Sequence, residues 1–297
     1  MRLVLAGSSG FLGTALRDRL ARDGHEVVRL VRSEAATPSE SRWDPYAGTV
    51  DVDLLASADV VVNLSGAPVA HWPWTPSHRR LVLQSRLAAT GTLARAIATT
   101  GATPALINGS GIGVYGNRGD EPLDEQSTLG DTFFAGVARQ WEQATEPAAE
   151  AGARVVTMRT GVVLDSAGGA LRLQQIPFRL GLGGRLGAGR QWFSPISRDD
   201  WVAAAVWLAE HEEASGPHNV VAPEPVTNAE FTAAMGRVLH RPTLVPIPAA
   251  PVRLLLGGPL SDEVLGSLRV LPAALTAEGF RWSQPDIEAI LRRGFGR

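Results

Sequence analysis

The chain opens MRLVLAGSSGFLG, Met1 to Gly13. A short apolar run, Leu3 to Ala6, gives way to glycines at Gly7, Gly10 and Gly13. In a strand that turns straight into a helix, the first glycine makes the turn and the second lets backbone approach phosphate. The third lets the helix pack on the strand. The free amides at the start of such a helix attract an anion. The stretch therefore predicts a dinucleotide pyrophosphate site built from Gly7, Ser9, Gly10, Phe11, Leu12 and Gly13. A tight strand–helix turn without a ligand would need the same glycines.

Outward from this turn, strand and helix signals alternate. Arg2–Ala6, Glu26–Val31, Asp59–Leu64, Ala105–Asn108 and Arg154–Thr160 read as strands. Thr14–Asp23, Ser77–Thr100 and Thr132–Ala144 read as helices, with Pro147 ending or bending the last. Asp59–Leu64 is apolar on both faces, as a buried parallel strand requires. The fold class expected is α/β: a Rossmann-type doubly wound parallel sheet with a small, mostly helical C-terminal domain. The pattern changes near Asp165. Residues 166–194, rich in glycine, read as loops over the cleft. Arg198–Glu210 reads as a helix and Asn219–Ala222 as a late strand. Thr227-x-x-Glu230 reads as a capping box opening a helix to about Leu239. The expected division is a nucleotide-binding domain over 1–222 and a small substrate or lid domain over 223–297.

Composition narrows the function classes. The chain has 297 residues and no cysteine, which excludes disulfides and thiolate chemistry. A formal net charge of −2 argues against nucleic acid as a partner. No apolar run reaches the ~18 residues of a membrane helix. A cytoplasmic protein acting on an unidentified small molecule is expected. All 28 cationic side chains are arginines.

The end of the second strand bears on cofactor choice. An enzyme using NAD usually carries an acid there, to accept from the ribose 2′-hydroxyl. Here the strand ends Leu30-Val31-Arg32-Ser33, with a cation and no acid. Arg32 suits a 2′-phosphate, so NADP(H) is expected over NAD. A solvated surface arginine would read the same way.

Longer motifs then accumulate. Asn63-Leu64-Ser65-Gly66, Val114-Tyr115-Gly116, Arg42-Trp43-Asp44-Pro45, Ser85-Arg86 and Trp141-Glu142 occur in order. Arg159-Thr160-Gly161-Val162-Val163-Leu164, Gly189-Arg190-Gln191-Trp192 and Ala222-Pro223-Glu224-Pro225-Val226-Thr227-Asn228 follow. Together with the opening turn they resemble the extended short-chain dehydrogenase/reductases. Within these, they resemble the atypical NAD(P)-dependent epimerase-family oxidoreductases with a C-terminal domain of unknown function. That resemblance implies NADP(H), with Val31 and Arg32 at the adenosine ribose phosphate. It places Leu64 and Ser65 beneath the adenine end, Arg86 as a second phosphate-facing cation and Val163 near the nicotinamide, with Gly66 a further cofactor-site residue. The segment Phe193–Asp200 departs from the family pattern at Pro195 and Arg198.

The superfamily's usual proton relay is Tyr-x-x-x-Lys. Spacing from Glu142 places Phe134 and Ala138 at those positions, and the chain has no lysine. Ser110 and Tyr115 are the candidate catalytic groups, with Glu125 and Asp131 as weaker ones. Each also has a plain structural reading. Trp72, Trp74, Trp192 and Trp201 are candidate stacking platforms, Trp201 the one best explained by packing. No histidine spacing suggests a metal. Two functions fit: an NADP(H)-dependent oxidoreductase acting on a small carbonyl or sugar-like substrate, or a non-catalytic NADP(H)-binding redox sensor.

Overall fold

A computed structural model describes residues 1–69, 71 and 73–296; Trp72 lies outside the described residues. The sheet has seven parallel strands: β1 (Arg2–Ala6), β2 (Glu26–Val31), β3 (Glu40–Arg42), β4 (Val60–Asn63), β5 (Ala105–Gly111), β7 (Val155–Thr160) and β11 (Gly216–Val220). Their order is β11-β7-β5-β4-β1-β2-β3. Strands built from Leu3, Val4 and Leu5, and from Val60, Val61 and Val62, are buried on both faces. That burial requires helices on each side. On one face, α1 (Phe11–Arg22) and α7 (Arg198–Glu210) bury Leu16, Leu20 and Trp201. On the other, α2 (Val52–Ala56), α3 (Pro76–Thr100) and α5 (Glu146–Glu150) bury Leu55, Leu93 and Ala148. The architecture is the doubly wound α/β fold expected from the alternation. Strand order reverses between β1 and β4, and clefts form at the strand ends beside such a reversal.

Pro147 stands in the first turn of α5, after α4 (Phe133–Gln143) has ended. Proline is tolerated there because the amide it lacks would have no helical partner.

Residues 166–194 correct an expectation. They hold a helix, α6 (Gly169–Arg179), and a short strand, β9 (Trp192–Phe193). The glycines cluster at both ends of this stretch, and 170–180 has none. Leu171 and Phe178 hold α6 in an apolar cluster with Phe231, Met235, Ile290 and Leu291. That cluster joins α6 and β8 (Val162–Asp165) to α8 (Asn228–Leu239) and α12 (Ile287–Gly294). Both halves of the Thr227–Glu230 capping box form, and α8 ends at Leu239 as read.

Three small pairings tie the C-terminal third to the rest. β10 (Pro195–Ser197) lies parallel to β8, and β12 (Val226–Thr227) runs antiparallel to β9. β13 (Arg269–Val270) lies parallel to β6 (Pro122–Leu123). Helices α9 (Ala249–Leu256), α10 (Gly258–Leu265) and α11 (Ala273–Ala277) complete the chain. Leu275 and Phe280 enter the core under α7, and Trp282 Nε1 donates to Val221 O at 2.9 Å. No helix among the described residues is long and apolar enough to cross a membrane.

Candidate functional site

The glycine turn is sterically closed to larger residues. Gly7 has φ +82°, and a Cβ there would stand 2.6 Å from the Leu64 carbonyl carbon. A Cβ on Gly13 would stand 2.1 Å from Gly7 O. The turn thus packs directly against the end of β4, where strand order reverses. No side chain caps α1 at Gly10. The first-turn amides of α1 are therefore open at the cleft, and such amides lack intrahelical partners.

Beside the turn, a buried amide organises the wall. Asn63 Nδ2 donates to Thr90 Oγ1 at 2.9 Å and to Asn108 Oδ1 at 2.8 Å, while its Oδ1 accepts from Ser65 N at 3.1 Å. Trp141 Nε1 also donates to Thr90 Oγ1, at 2.9 Å. The network joins β4, β5, α3 and α4 and fixes the Trp141 ring. The Arg86 guanidinium lies 4.7 Å from that ring's centre, a cation–π contact. Its Nη1 donates to Ala67 O at 3.1 Å and Val82 O at 2.9 Å. No carboxylate pairs with it among the described residues. Burial lowers its pKa to about 10.

These groups border a cleft of about 680 Å³. The glycine turn and Leu64 form one end, Arg86 and Trp141 one wall, and Ser110 with Phe134 and Ala138 another. A second cavity of about 410 Å³ adjoins it, and Phe134 and Glu263 line both.

Behind Ser110 lies a buried ionic network. Glu142 takes a two-pronged pair from Arg159, Nε at 2.9 Å and Nη2 at 2.8 Å. Ser110 Oγ donates to the same carboxylate at 2.7 Å. Arg159 Nη1 donates to Tyr115 Oη at 3.0 Å, and Tyr115 Oη donates to Asn219 Oδ1 at 2.7 Å. Asn219 N donates to Glu125 Oε1 at 2.9 Å. Burial works against the Arg159 charge, but the hydrogen bonds and charge of Glu142 outweigh it and raise its pKa. Burial pushes Tyr115 up to about 12, against the pull of Arg159.

A family model described as the NAD dependent epimerase/dehydratase family matches residues 3–163. An epimerase family protein of Mycobacterium bovis is 42% identical over 285 residues, covering 96% of this chain and 94% of the relative. The chain belongs to the epimerase family. A second model, a domain of unknown function (DUF1731), matches residues 247–293. The human epimerase family protein SDR39U1 (isoform 2) has been solved with NADPH. It matches with a TM-score of 0.88 at 33% identity, over 99% of this chain and 98% of that one. The UDP-glucose 4-epimerase of Thermus thermophilus, solved with NAD, shares the fold at a TM-score of 0.72 and 18% identity, over 99% of each chain. The resemblance read from the motifs stands.

Within this epimerase-family cleft, the residues read from sequence divide. Gly7, Gly10, Phe11, Leu12, Gly13, Leu64 and Arg86 line it. Ser9, Val31, Arg32, Ser65 and Gly66 lie outside the lining. Arg32 is exposed just beyond β2, and Gly66 packs against the Arg86 guanidinium, which a Cβ there would meet at 3.3 Å. Val163 also lies outside the lining. It is buried in the core, and its neighbour Val162 lines the cleft. Successive residues of a strand face opposite ways.

The catalytic candidates divide as well. Tyr115 is fully buried and outside the cleft lining, its hydroxyl held by Arg159 and Asn219. Glu125 belongs to the same interior network, and exposed Asp131 is outside the lining. Ser110 does line the cleft, but its proton goes to Glu142, so it presents lone pairs and no donor. Phe134 and Ala138, which spacing from Glu142 sets at the relay positions, line the cleft.

Trp192 lines the cleft, pinned by Asp120 at 2.9 Å and by Arg269 over its ring. Trp201 is buried, yet its edge borders the cleft, with Nε1 donating to Thr160 Oγ1 at 3.1 Å. Trp74 packs instead among Phe133, Phe134 and His78, outside the lining. At the family departure, Arg198 pairs with Asp165 at 3.2 Å and lies over the Phe11 ring. Two groups escaped the sequence reading: Glu142 as the acceptor behind Ser110, and Glu263. The signal for Glu263 was an acid in an otherwise apolar stretch, shared with its neighbour Asp262.

Proposed function

We propose that this epimerase-family chain is an NADP(H)-dependent oxidoreductase acting on a small carbonyl or sugar-like substrate. One observation carries the reading: Arg86 is a buried cation with no acidic partner among the described residues, and it lines the same cleft as an uncapped helix start. Two anion-seeking features in one apolar cleft fit a ligand that carries phosphate. The turn Gly7–Gly13 would hold the pyrophosphate. Val31 and Arg32 would hold the adenosine ribose phosphate, and Leu64 and Ser65 the adenine end. The human relative solved with NADPH supports the phosphorylated form.

When bound, the nicotinamide supplies a hydride donor or acceptor. The chain's own residues shape the rest. Phe134, Val137 and Ala138 make the wall apolar and exclude water. Ser110, held by Glu142, accepts a hydrogen bond from a substrate hydroxyl. A sensor reading draws on the same Phe134 and Ala138, and it requires NADPH binding without oxidation by any carbonyl compound.

Calorimetry tests the cofactor choice. Arg32→Ala is expected to weaken NADPH binding roughly 10- to 100-fold, the worth of a charge-assisted contact, and to leave NADH binding nearly unchanged. Equal losses for both nucleotides would overturn the role of Arg32. A wild-type protein that binds neither would overturn the whole reading. NADPH oxidation across a panel of aldehydes and dicarbonyls separates enzyme from sensor.

A further inference from the structure

The relay helix α4 offers the cleft no proton. Its two relevant positions are Phe134 and Ala138. The C-terminal region, whose residues 247–293 match a domain of unknown function, supplies one instead. Helix α10 packs against α4 and carries Glu263. A Cβ built on Gly113 would stand 3.0 Å from Glu263 Oε1, 3.5 Å from Oε2 and 3.4 Å from Phe134 Cβ. The carboxyl therefore sits beside the residue that replaces the tyrosine. The absence of a side chain at Gly113 makes room for it.

Glu263 lines both the main cleft and the adjoining cavity. No hydrogen bond or ion pair engages its carboxyl among the described residues. The other charged residues lining the two cavities are Arg86 in the larger and Arg253 and Asp262 in the smaller. α4 and the turn at Gly113 contribute Phe133, Phe134, Val137, Ala138, Trp141, Ile112 and Gly113, none of them titratable. Burial pushes the Glu263 carboxyl up to about 7.

We propose that Glu263 is the proton donor and acceptor of this cleft, standing in for the tyrosine hydroxyl of the superfamily. The inference rests on the oxidoreductase reading above. In the reducing direction, a carbonyl carbon gains a hydride from the reduced nicotinamide nucleotide, and the carbonyl π pair moves to oxygen. The Glu263 O–H bond breaks and its proton goes to that oxygen. The products are an alcohol, the oxidised nucleotide and a Glu263 carboxylate, which regains its proton from water. In reverse, the carboxylate takes the hydroxyl proton. A proton carrier is most effective when its pKa lies near the working pH.

The test uses the NADPH complex of the full chain as wild type, Glu263→Gln and Glu263→Asp. In carbon-13 NMR of glutamate-labelled protein, one carboxyl is expected to titrate near pH 7 and to vanish in Glu263→Gln. With phenanthrenequinone as the carbonyl probe, Glu263→Gln is expected to lower the rate of NADPH oxidation by roughly 100-fold. It should also abolish the fall in rate above neutral pH, leave NADPH affinity unchanged and melt cooperatively. Glu263→Asp should recover part of the rate. A folded Glu263→Gln with wild-type rate and pH profile overturns the proposal, as does a Glu263 carboxyl already ionised at about pH 5, the ordinary range for glutamate. A wild type that binds NADPH but oxidises it with no carbonyl overturns the oxidoreductase reading, and the proton-donor role falls with it.

Discussion

Glu142 carries more of the site than any other single side chain. It pairs with Arg159 through both oxygens and accepts a hydrogen bond from Ser110 Oγ, with side-chain exposures of 15% and 6% for the ionic partners. Glu142→Gln would leave the Arg159 charge buried and under-paired. The expected cost is about 3–5 kcal/mol, read from denaturant melts. Glu263 has the opposite signature. Its carboxyl is raised from 4.5 to about 7 by burial, so the folded chain keeps a proton that the unfolded chain releases. Stability then falls as pH rises from about 4.5 to about 7 and is flat above that window. Glu263→Gln should melt with the wild type at about pH 4 and above it at about pH 8, as scanning calorimetry would show. Of these residues, Arg32 was open to a proposal from sequence because its reading uses only the strand just before it. Glu142 and Glu263 were not, because their meaning depends on partners distant in the chain.

The opening turn shows what an element can say by itself. Gly13→Ala places a methyl 2.1 Å from Gly7 O, and both atoms around that contact are backbone. The turn must move, at an expected cost of roughly 1–3 kcal/mol, and NADPH binding should be lost with it. Calorimetric titration and a thermal melt of the same sample check both parts. Most elements were legible for a similar local reason. Apolar residues buried on both faces marked β1 and β4, and the Thr227–Glu230 pair marked the start of α8. α6 was missed because its flanking glycines signal turns, while its reason to be helical is the pocket for Leu171 and Phe178 made by α8 and α12. β8 was missed because Gly161 is all that parts it from β7.

At the scale of the molecule, the C-terminal third is woven into the nucleotide-binding part. Asp200 accepts from Ser283 N and Gln284 N, both at 2.8 Å, and β13 pairs with β6. A chain ending at Pro246 would lose Leu275, Phe280, Ile290 and Leu291 from two apolar clusters. It is expected to fail to fold cooperatively. The full chain should show coincident circular dichroism and tryptophan fluorescence melts, and separate transitions would refute a shared core. By itself the sequence determined the glycine turn, the alternating parallel sheet, the cation after β2 and the absence of lysine. Each depends on residue type and near neighbours, within the reach of backbone sterics and strand or helix period. Tertiary structure alone decided that Tyr115 is interior, that Ser110 Oγ donates a hydrogen bond to Glu142 and that Glu263 borders the cleft. Tyr115 meets Asn219 across 104 residues. Such pairings, and the burial that sets their charge, exist only once distant segments pack together and exclude water.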